Sequence, residues 1–229
     1  MFRRTRSLIR ELGVRDGLAY AIDQLLARHL GIGSLLSYRF YALPVPAADE
    51  LGESRAGKVG YRRIERDAPI LEALGLEQEV LDFRFNQGAI CFGAVREEEL
   101  IGAVWFALGP FDEDEARCRY IPLPEDRTAW DFGVFVAPEH RLGLTFHRLW
   151  QEVFRYLAAR DRNWSLSRIS AYNPGSLASH ERLGSRYLGK ARFLRLGRVQ
   201  VMWSHLPPYF HVSFGEGARP VFRLKAPQS

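Results

Sequence analysis

The sequence has few of the features that mark disulfide-rich, membrane-spanning or secreted proteins. It contains only two cysteines among 229 residues, Cys91 and Cys118, and their spacing matches no metal-binding pattern. We therefore expect two packed, reduced thiols of a cytoplasmic protein, and no metal site. No apolar run approaches the roughly 20 residues of a membrane-spanning helix. No long apolar segment follows the basic N-terminus, so no secretory signal is expected.

The composition is that of an ordinary globular protein. Hydrophobic residues make up 47% of the chain and charged residues 26%, and the net charge is +5. A chain of this length forms one large domain or two small ones. We predict a basic helical extension over residues 1–36 and a main domain over residues 37–229.

Arginine is concentrated at the N-terminus, where Arg3, Arg4, Arg6, Arg10 and Arg15 have few acidic neighbours. An amphipathic helix is predicted over residues 16–30, with Asp16 as its N-cap. Its apolar face would consist of Leu18, Ile22, Leu25, Leu26 and His29. This helix either packs on the main domain with a solvated basic face, or contacts an anionic membrane, nucleic acid or carrier surface.

Hydrophobic periodicity and turn residues predict a mixture of strands and helices. The predicted strands are residues 37–45, 89–95, 100–108, 117–121, 132–136, 167–173, 186–196 and 199–205, with short apolar pieces at 209–214 and 221–224. Short helices are predicted over residues 66–75, with Asp67 as N-cap, and 77–85. The strongest pattern is a long helix whose apolar face consists of Phe146, Leu149, Trp150, Val153, Phe154 and Leu157.

The segment from residue 130 to residue 145 predicts an anion site. A short strand over residues 132–136 is followed by Pro138, by a tight turn at Arg141, Leu142 and Gly143, and by the long helix. A strand that passes through a glycine turn into a helix leaves backbone N–H groups unpaired, and the helix dipole adds to their attraction for an anion. Gly143 is expected to supply the positive φ of this turn.

A second motif follows about thirty residues later, where a strand ends at Asn173 and a short helix runs to Gly184. The two motifs read V-x-P-E-H-R-x-G from Val136 to Gly143 and N-x-x-S-x-x-x-H-x-x-x-G from Asn173 to Gly184. Together they resemble the GCN5-related N-acetyltransferase (GNAT) superfamily, in plausible order over about residues 60–206.

The resemblance implies a fold and a reaction. The fold would be an α/β (α+β) GNAT-like one, with a mixed, mostly antiparallel sheet flanked by helices. The protein would bind an acyl-coenzyme A, with an acetyl or longer chain, and transfer the acyl group to an amine. It would act as a monomer or homodimer, without nucleic acid. The residues implied in coenzyme A binding are Phe135, Val136, Arg141, Leu142, Gly143, Leu144, Thr145, Phe146, Asn173 and Ser176.

Catalysis requires a proton acceptor, because amines are mostly protonated at neutral pH. Asp131 is the carboxylate nearest the middle of the strand before the turn, and Glu113 and Glu115 are alternatives. The acidic run at residues 112–115 either attracts a cationic amine or forms a solvated hairpin tip. His180 stands where the family often has a tyrosine. It either protonates the departing thiolate or packs the short helix.

Two further questions stay open at the level of sequence. Phe83 and Phe85 either line an acceptor site or belong to the core. The chain is either an active N-acyltransferase or a GNAT-fold binding module that has lost catalysis and docks through its basic N-terminal helix.

Overall fold

We describe the protein from a computed structural model. The described residues are 2–52, 57–141, 143–215 and 217–228, with side chains from Leu12 onward in the first helix. The chain forms two compact units. Unit 1 comprises residues 1–43, 115–120 and 167–224, and unit 2 comprises residues 44–114, 121–166 and 225–229. No helix among the described residues is long and apolar enough to cross a membrane.

The elements alternate along the chain as predicted for a mixed α/β fold. The α-helices are α1 Phe2–Gln24, α2 Gln78–Asn86, α3 Thr145–Ala158 and α4 Pro174–Arg182. The strands are β1 Gly33–Pro44, β2 Gly60–Ile64, β3 Ile90–Arg96, β4 Glu99–Ala107, β5 Phe111–Asp112, β6 Arg119–Leu123, β7 Thr128–Val136, β8 Trp164–Ser170, β9 Arg186–Leu196, β10 Val199–Ser204, β11 Phe210–Phe214 and β12 Val221–Lys225. A π-helix spans Leu25–Leu30, and 3₁₀-helices span Pro69–Leu74 and Pro138–His140.

In unit 1 an antiparallel sheet has strands in the order β11-β10-β9-β1. One face of this sheet carries the core of the unit. The ring of Phe40 lies 5.9 Å from that of Tyr120 and 5.2 Å from that of Phe222, and all three side chains are fully buried. Burial of such large aromatic side chains provides most of the stability of a unit of this kind.

Helix α1 packs on the other face of the sheet, where a cluster of ion pairs holds it. Asp16 is buried and lies 2.7 Å from Lys190, 2.9 Å from Arg192 and 2.9 Å from Arg39. Burial raises the pKa of Asp16, but the hydrogen bonds from the three cations lower it more strongly, to about 2. One carboxylate thus fixes the helix to two neighbouring strands, because Arg39 and Lys190 face each other across β1 and β9.

The predicted N-cap role of Asp16 is wrong. A break at Gly13, where φ is 75°, divides α1 into two helices. The second begins close to the predicted start but before Asp16, which is bound by the cations instead. The predicted apolar face is turned to solvent, since Leu18 is 62% exposed and Leu25 is 50% exposed. Leu12 and Ala19 are buried in its place.

In unit 2 the strand order is β7-β4-β3-β2, and each neighbouring pair is antiparallel. Helix α3 packs on β3 and β4 and buries Leu149, Trp150, Val153, Phe154 and Leu157, as its periodicity predicted. The helix predicted over residues 66–75 is a 3₁₀-helix that begins after Ala68, so Asp67 is not its cap. Cys91 and Cys118 are both buried and in no disulfide bond, as expected.

Candidate functional site

Strand β7 of unit 2 carries a β-bulge next to the predicted anion site. Its pairing with β4 runs from Trp105↔Phe132 to Ala103↔Phe135, so two residues of β7 stand opposite one residue of β4. The bulge contains Gly133, whose φ is 57°. A bulge leaves one residue of the ladder unpaired and redirects the strand. Before Gly133 the strand is buried, whereas Phe135 and Val136 are partly exposed.

The turn after β7 is held by local hydrogen bonds. Arg141 Nε donates to the carbonyl of Val136 at 3.0 Å, which holds the exposed guanidinium at the end of the strand. The amide of Gly143 donates to the carbonyl of His140 at 3.2 Å. Leu142 lies outside the described residues.

The prediction that Gly143 supplies a positive φ is wrong. Its φ lies outside the left-handed region, and an added Cβ would meet the His140 carbonyl at an ordinary 3.6 Å. The glycine of this segment that needs conformational freedom is Gly133. A Cβ there would lie 3.0 Å from Arg84 Nη1 and 3.1 Å from Trp105 Cδ1, and φ is positive.

The first turn of α3 fits an anion. Leu144 precedes the helix and provides no side-chain cap, and the first turn contains no acidic residue. The amides of a first helical turn have no intrahelical partner, and the positive end of the helix dipole lies there. The side chain of Thr145 lies against the sheet, because its Cγ2 would be 3.2 Å from a Cβ on Gly102. Backbone amides at a helix start of this kind can bind an anion.

Asp131 is 1% exposed and accepts a hydrogen bond from Ser165 Oγ. Its cross-strand partner is Phe106 of β4. The ring of Phe106 lies 5.4 Å from that of Tyr156 in α3. Cross-strand partners share a face of the sheet, so Asp131 lies on the face that α3 covers. Its role as the general base stays a prediction.

A polar group that the sequence did not indicate lies on the opposite face of β7. Arg84 of α2 lies 2.6 Å from Asp114, and each side chain is only 9% exposed. The guanidinium is 5.3 Å from the ring centres of both Trp105 and Phe132. The indole Nε1 of Trp105 is buried and has no hydrogen-bond partner among the described residues. The bulge at Gly133 therefore has two buried nitrogen donors beside it.

The predicted solvated tip at residues 112–115 is wrong for its two middle residues. Glu113 is 7% exposed, and Asp114 is paired with Arg84. Phe85 packs edge-on against Trp105 at 4.9 Å, as a core residue does, whereas Phe83 is 38% exposed. The sequence of an acidic run does not show whether its carboxylates are exposed to water or paired with an arginine from another part of the chain.

Glu115 belongs to unit 1, where cationic and polar groups fix its carboxylate. Tyr38 donates to Glu115 Oε2 at 2.7 Å, and Arg168 lies 3.2 Å from the same oxygen. The side chain of Glu115 is 54% exposed. Its place as an alternative base stays a prediction.

The second motif of the sequence forms the start of α4 in unit 1. Asn173 Oδ1 accepts a hydrogen bond from the amide of Ser176 at 3.0 Å, so Asn173 is the N-cap of the helix. Pro174 occupies the first turn, as the sequence pattern predicted. A contact of Asn173 or Ser176 with coenzyme A stays a prediction.

His180 is 3% exposed and lies on the buried side of α4. Its Nδ1 lies 2.9 Å from the carbonyl of Ser176, and that nitrogen must carry the proton because a carbonyl only accepts. Burial lowers the pKa of His180 from 6.5, against a smaller raising effect of this hydrogen bond. The imidazole is therefore neutral at pH 7 with its proton directed to the backbone, and its role as a proton donor stays a prediction.

We expect the pH dependence of stability to report this burial. The folded protein binds the His180 proton less readily than the unfolded chain, so the stabilising contribution is complete above pH 6.5 and is lost as the pH falls below that value. His180→Phe should reduce the fall in the free energy of unfolding between pH 7.5 and pH 5.5, measured by urea denaturation. His147→Phe, at an exposed position of α3, is the matched control. Equal slopes in wild type and His180→Phe would contradict the assignment.

Comparison with solved structures finds several chains of similar fold. A protein described as a GNAT-family acetyltransferase from Novosphingobium aromaticivorans is 18% identical, with a TM-score of 0.48, and the match covers 69% of this chain and 62% of that one. A conserved protein of unknown function from Staphylococcus epidermidis is 14% identical, with a TM-score of 0.49 and coverages of 76% and 66%. A tandem GNAT protein from the clavulanic acid biosynthesis pathway is 16% identical, with a TM-score of 0.47 and coverages of 78% and 56%.

Two of these three proteins are described as GNAT proteins, the superfamily that the sequence motifs resemble. The chain spans less than two thirds of the length of each of these three proteins. No protein-family model matches the sequence, and no curated protein matches it.

Proposed function

We propose that the protein is an N-acyltransferase that moves an acyl group from coenzyme A to an amine by direct attack. One observation carries the proposal. In unit 2 a bulged strand leads through a short turn into an uncapped helix start that contains no acidic residue. This arrangement provides backbone N–H groups at two successive places, one suited to a carbonyl oxygen and one suited to a pyrophosphate.

Each part of unit 2 has a defined task in this reaction. The first-turn amides of α3 and the guanidinium of Arg141 bind the pyrophosphate. Backbone N–H groups of β7 near Phe135 and Val136 donate to the thioester carbonyl, where negative charge develops. Coenzyme A supplies the activated acyl thioester. The amine nitrogen bonds to the acyl carbon, the carbon–sulfur bond breaks, and the thiolate leaves with the electron pair.

The attacking amine must first lose a proton, and the candidate bases differ in their surroundings. Asp131 is buried under α3, Glu113 is buried in unit 2, and Glu115 is half exposed in unit 1. Only a base that reaches the amine, directly or through water, contributes to the rate.

The proposed reaction predicts a rate of thiol release that rises with pH, because only the free amine attacks. With Asp131 as the base, Asp131→Asn lowers kcat/KM by about 10²-fold, and the loss shrinks at high pH. Release of free coenzyme A thiol from several acyl-coenzyme A esters with a panel of amines measures both effects. Asp126→Asn, at an exposed position, is the control. An unchanged pH–rate curve for Asp131→Asn assigns the role to Glu113 or Glu115, and no thiol release with any pair contradicts the proposed reaction.

A second candidate function rests on the exposed face of α1. Val14, Leu18, Ile22 and Leu25 recur at helical spacing and are 39–84% exposed. The two acidic residues of this segment are not part of the exposed apolar stripe. Asp16 is paired with cations of the sheet, and Asp23 accepts a hydrogen bond from the amide of Leu35 at 2.9 Å. An apolar stripe accompanied by arginine and free of acids suits an anionic membrane or carrier surface. The protein would then be a cytoplasmic binding module that docks through this helix.

A further inference from the structure

A small cavity opens in unit 2 beside the start of α3, on the side of Arg148. Its volume is about 220 Å³, and it is lined by Gly57, Lys58, Val59, Tyr61, Arg96 and Arg148. Tyr61 comes from β2 and Lys58 from the segment just before it, Arg96 from the end of β3, and Arg148 from α3. Three elements of the fold therefore bring three cations and one phenol to a single concave surface.

The acids nearest these cations, Glu97, Glu98 and Glu99 beside Arg96 and Glu152 of α3, do not line the cavity. Arg96 lies 3.8 Å from Glu97, whose side chain is 78% exposed, so this pair is weakened by solvent. Glu152, the nearest acid to Tyr61 on α3, is bound at 2.6 Å by Arg155. Among the described residues that line the cavity there is no carboxylate. The lining of the cavity therefore carries only positive charges.

Tyr61 adds a neutral hydrogen-bonding group to the three charges. Burial raises the pKa of Tyr61 above 10, although the charge of Arg148 and its hydrogen bond lower it. The phenol is therefore protonated at neutral pH and can donate its O–H to an anion. Arg148 lies close enough to the same phenol for its charge to lower the pKa of Tyr61.

We propose that this cavity binds a phosphomonoester. Two guanidinium groups match phosphate oxygens in a bidentate manner, and lysine adds a point charge. Three cations suit a dianion better than a single carboxylate, which would leave two of them unmatched. The volume accommodates a phosphate with a small attached group and is below that of typical drug-sized pockets. This inference does not require the proposed acyl transfer.

The register places the cavity near the α3 site but apart from it. Thr145, the first residue of α3, touches Gly102 of β4. Gly102 pairs with Ala94, and Ala94 pairs with Tyr61. Two strand spacings correspond to roughly 10 Å. The phosphomonoester is therefore either the 3′-phosphate of the same coenzyme A molecule or the phosphate of a second molecule.

Thermal unfolding of the full chain with inorganic phosphate tests the site. Phosphate should raise Tm in a saturable manner relative to chloride at equal ionic strength. Lys58→Gln and Arg96→Gln should each weaken the apparent affinity by about tenfold, the usual effect of losing one charged hydrogen-bonding group. Arg62→Gln is the matched control, because successive residues of a strand point to opposite faces and Arg62 is exposed. No saturable effect, or equal affinities in all four proteins, would overturn the proposal.

A second titration identifies the source of the phosphate once inorganic phosphate binds. Coenzyme A should bind more tightly than dephospho-coenzyme A if its 3′-phosphate occupies the cavity, and Lys58→Gln and Arg96→Gln should remove that difference. If the two nucleotides bind equally, or the difference persists in both variants, the cavity holds a second phosphorylated molecule. The inorganic phosphate result is readable even if coenzyme A does not bind at all, so failure of the site and failure of the acyl-transfer proposal are distinguishable.

Discussion

Arg84→Met is expected to destabilise the protein by about 3–5 kcal/mol, the usual cost of breaking a buried ion pair from one side. Arg84 and Asp114 lie 2.6 Å apart and are each only 9% exposed. Removal of the guanidinium leaves the 9% exposed Asp114 carboxylate without the cation that compensates for its burial. It also removes the contact of the cation with the rings of Trp105 and Phe132. Urea denaturation at pH 7 gives the free energy of unfolding.

The double variant Arg84→Met with Asp114→Leu separates charge from packing. Replacement of a buried ion pair by apolar residues of similar volume is often neutral, so the double variant should recover most of the lost stability. Arg66→Met is the control, because the Arg66–Asp82 pair has exposed fractions of 49% and 39% and should cost about 1 kcal/mol or less. An Arg84→Met protein as stable as the Arg66→Met protein would show that the pair is not a buried ion pair in solution.

Leu144→Asp is expected to weaken coenzyme A binding by more than about tenfold while leaving the fold intact or slightly more stable. Leu144 is 60% exposed and stands at the uncapped start of α3. A carboxylate there interacts favourably with the helix dipole, by about 0.3–1 kcal/mol. The same negative charge repels a pyrophosphate at the first-turn amides, so the dissociation constant should rise by more than about tenfold. Stability and binding therefore change in opposite directions.

Leu144→Asn is the matched control for this variant. Asparagine has nearly the same shape as aspartate and also caps helices, but it carries no charge. It should bind coenzyme A nearly as well as the wild type. Calorimetric titration of the three proteins measures the affinities, and thermal unfolding measures the stabilities. If Leu144→Asp and Leu144→Asn bind equally, the pyrophosphate does not lie at the start of α3.

The helices and strands that the sequence predicted well are those with a strong local pattern. Helix α3 buries five of the six residues of its predicted apolar face. The hairpin of β9 and β10 turns at Gly197, as predicted from that glycine between two apolar runs. The start of α4 follows from Asn173 and Pro174, which cap and begin a helix by local geometry. These features depend on neighbours within a few residues, so the sequence carries them directly.

The errors arise where distant residues decide the structure. Asp16 has the sequence context of an N-cap, but Lys190 and Arg192 bind it. The partner of Asp114 is Arg84, thirty residues earlier in the chain. The positive φ expected at Gly143 is found at Gly133, because the bulge depends on the register of β7 against β4. Pairing of this kind has no local signature in one sequence.

The most direct test of the proposed function is binding of acyl-coenzyme A by the wild-type protein. Acetyl-, octanoyl- and palmitoyl-coenzyme A are titrated in turn while thermal unfolding is followed. A ligand that binds only the folded state stabilises it by about 2.7 kcal/mol at one hundred times its dissociation constant. We expect a saturable rise in Tm with at least one of the three thioesters, and a smaller rise at the same concentration in Leu144→Asp. No rise with any thioester would contradict the proposed acyltransferase and leave the binding module as the function to pursue.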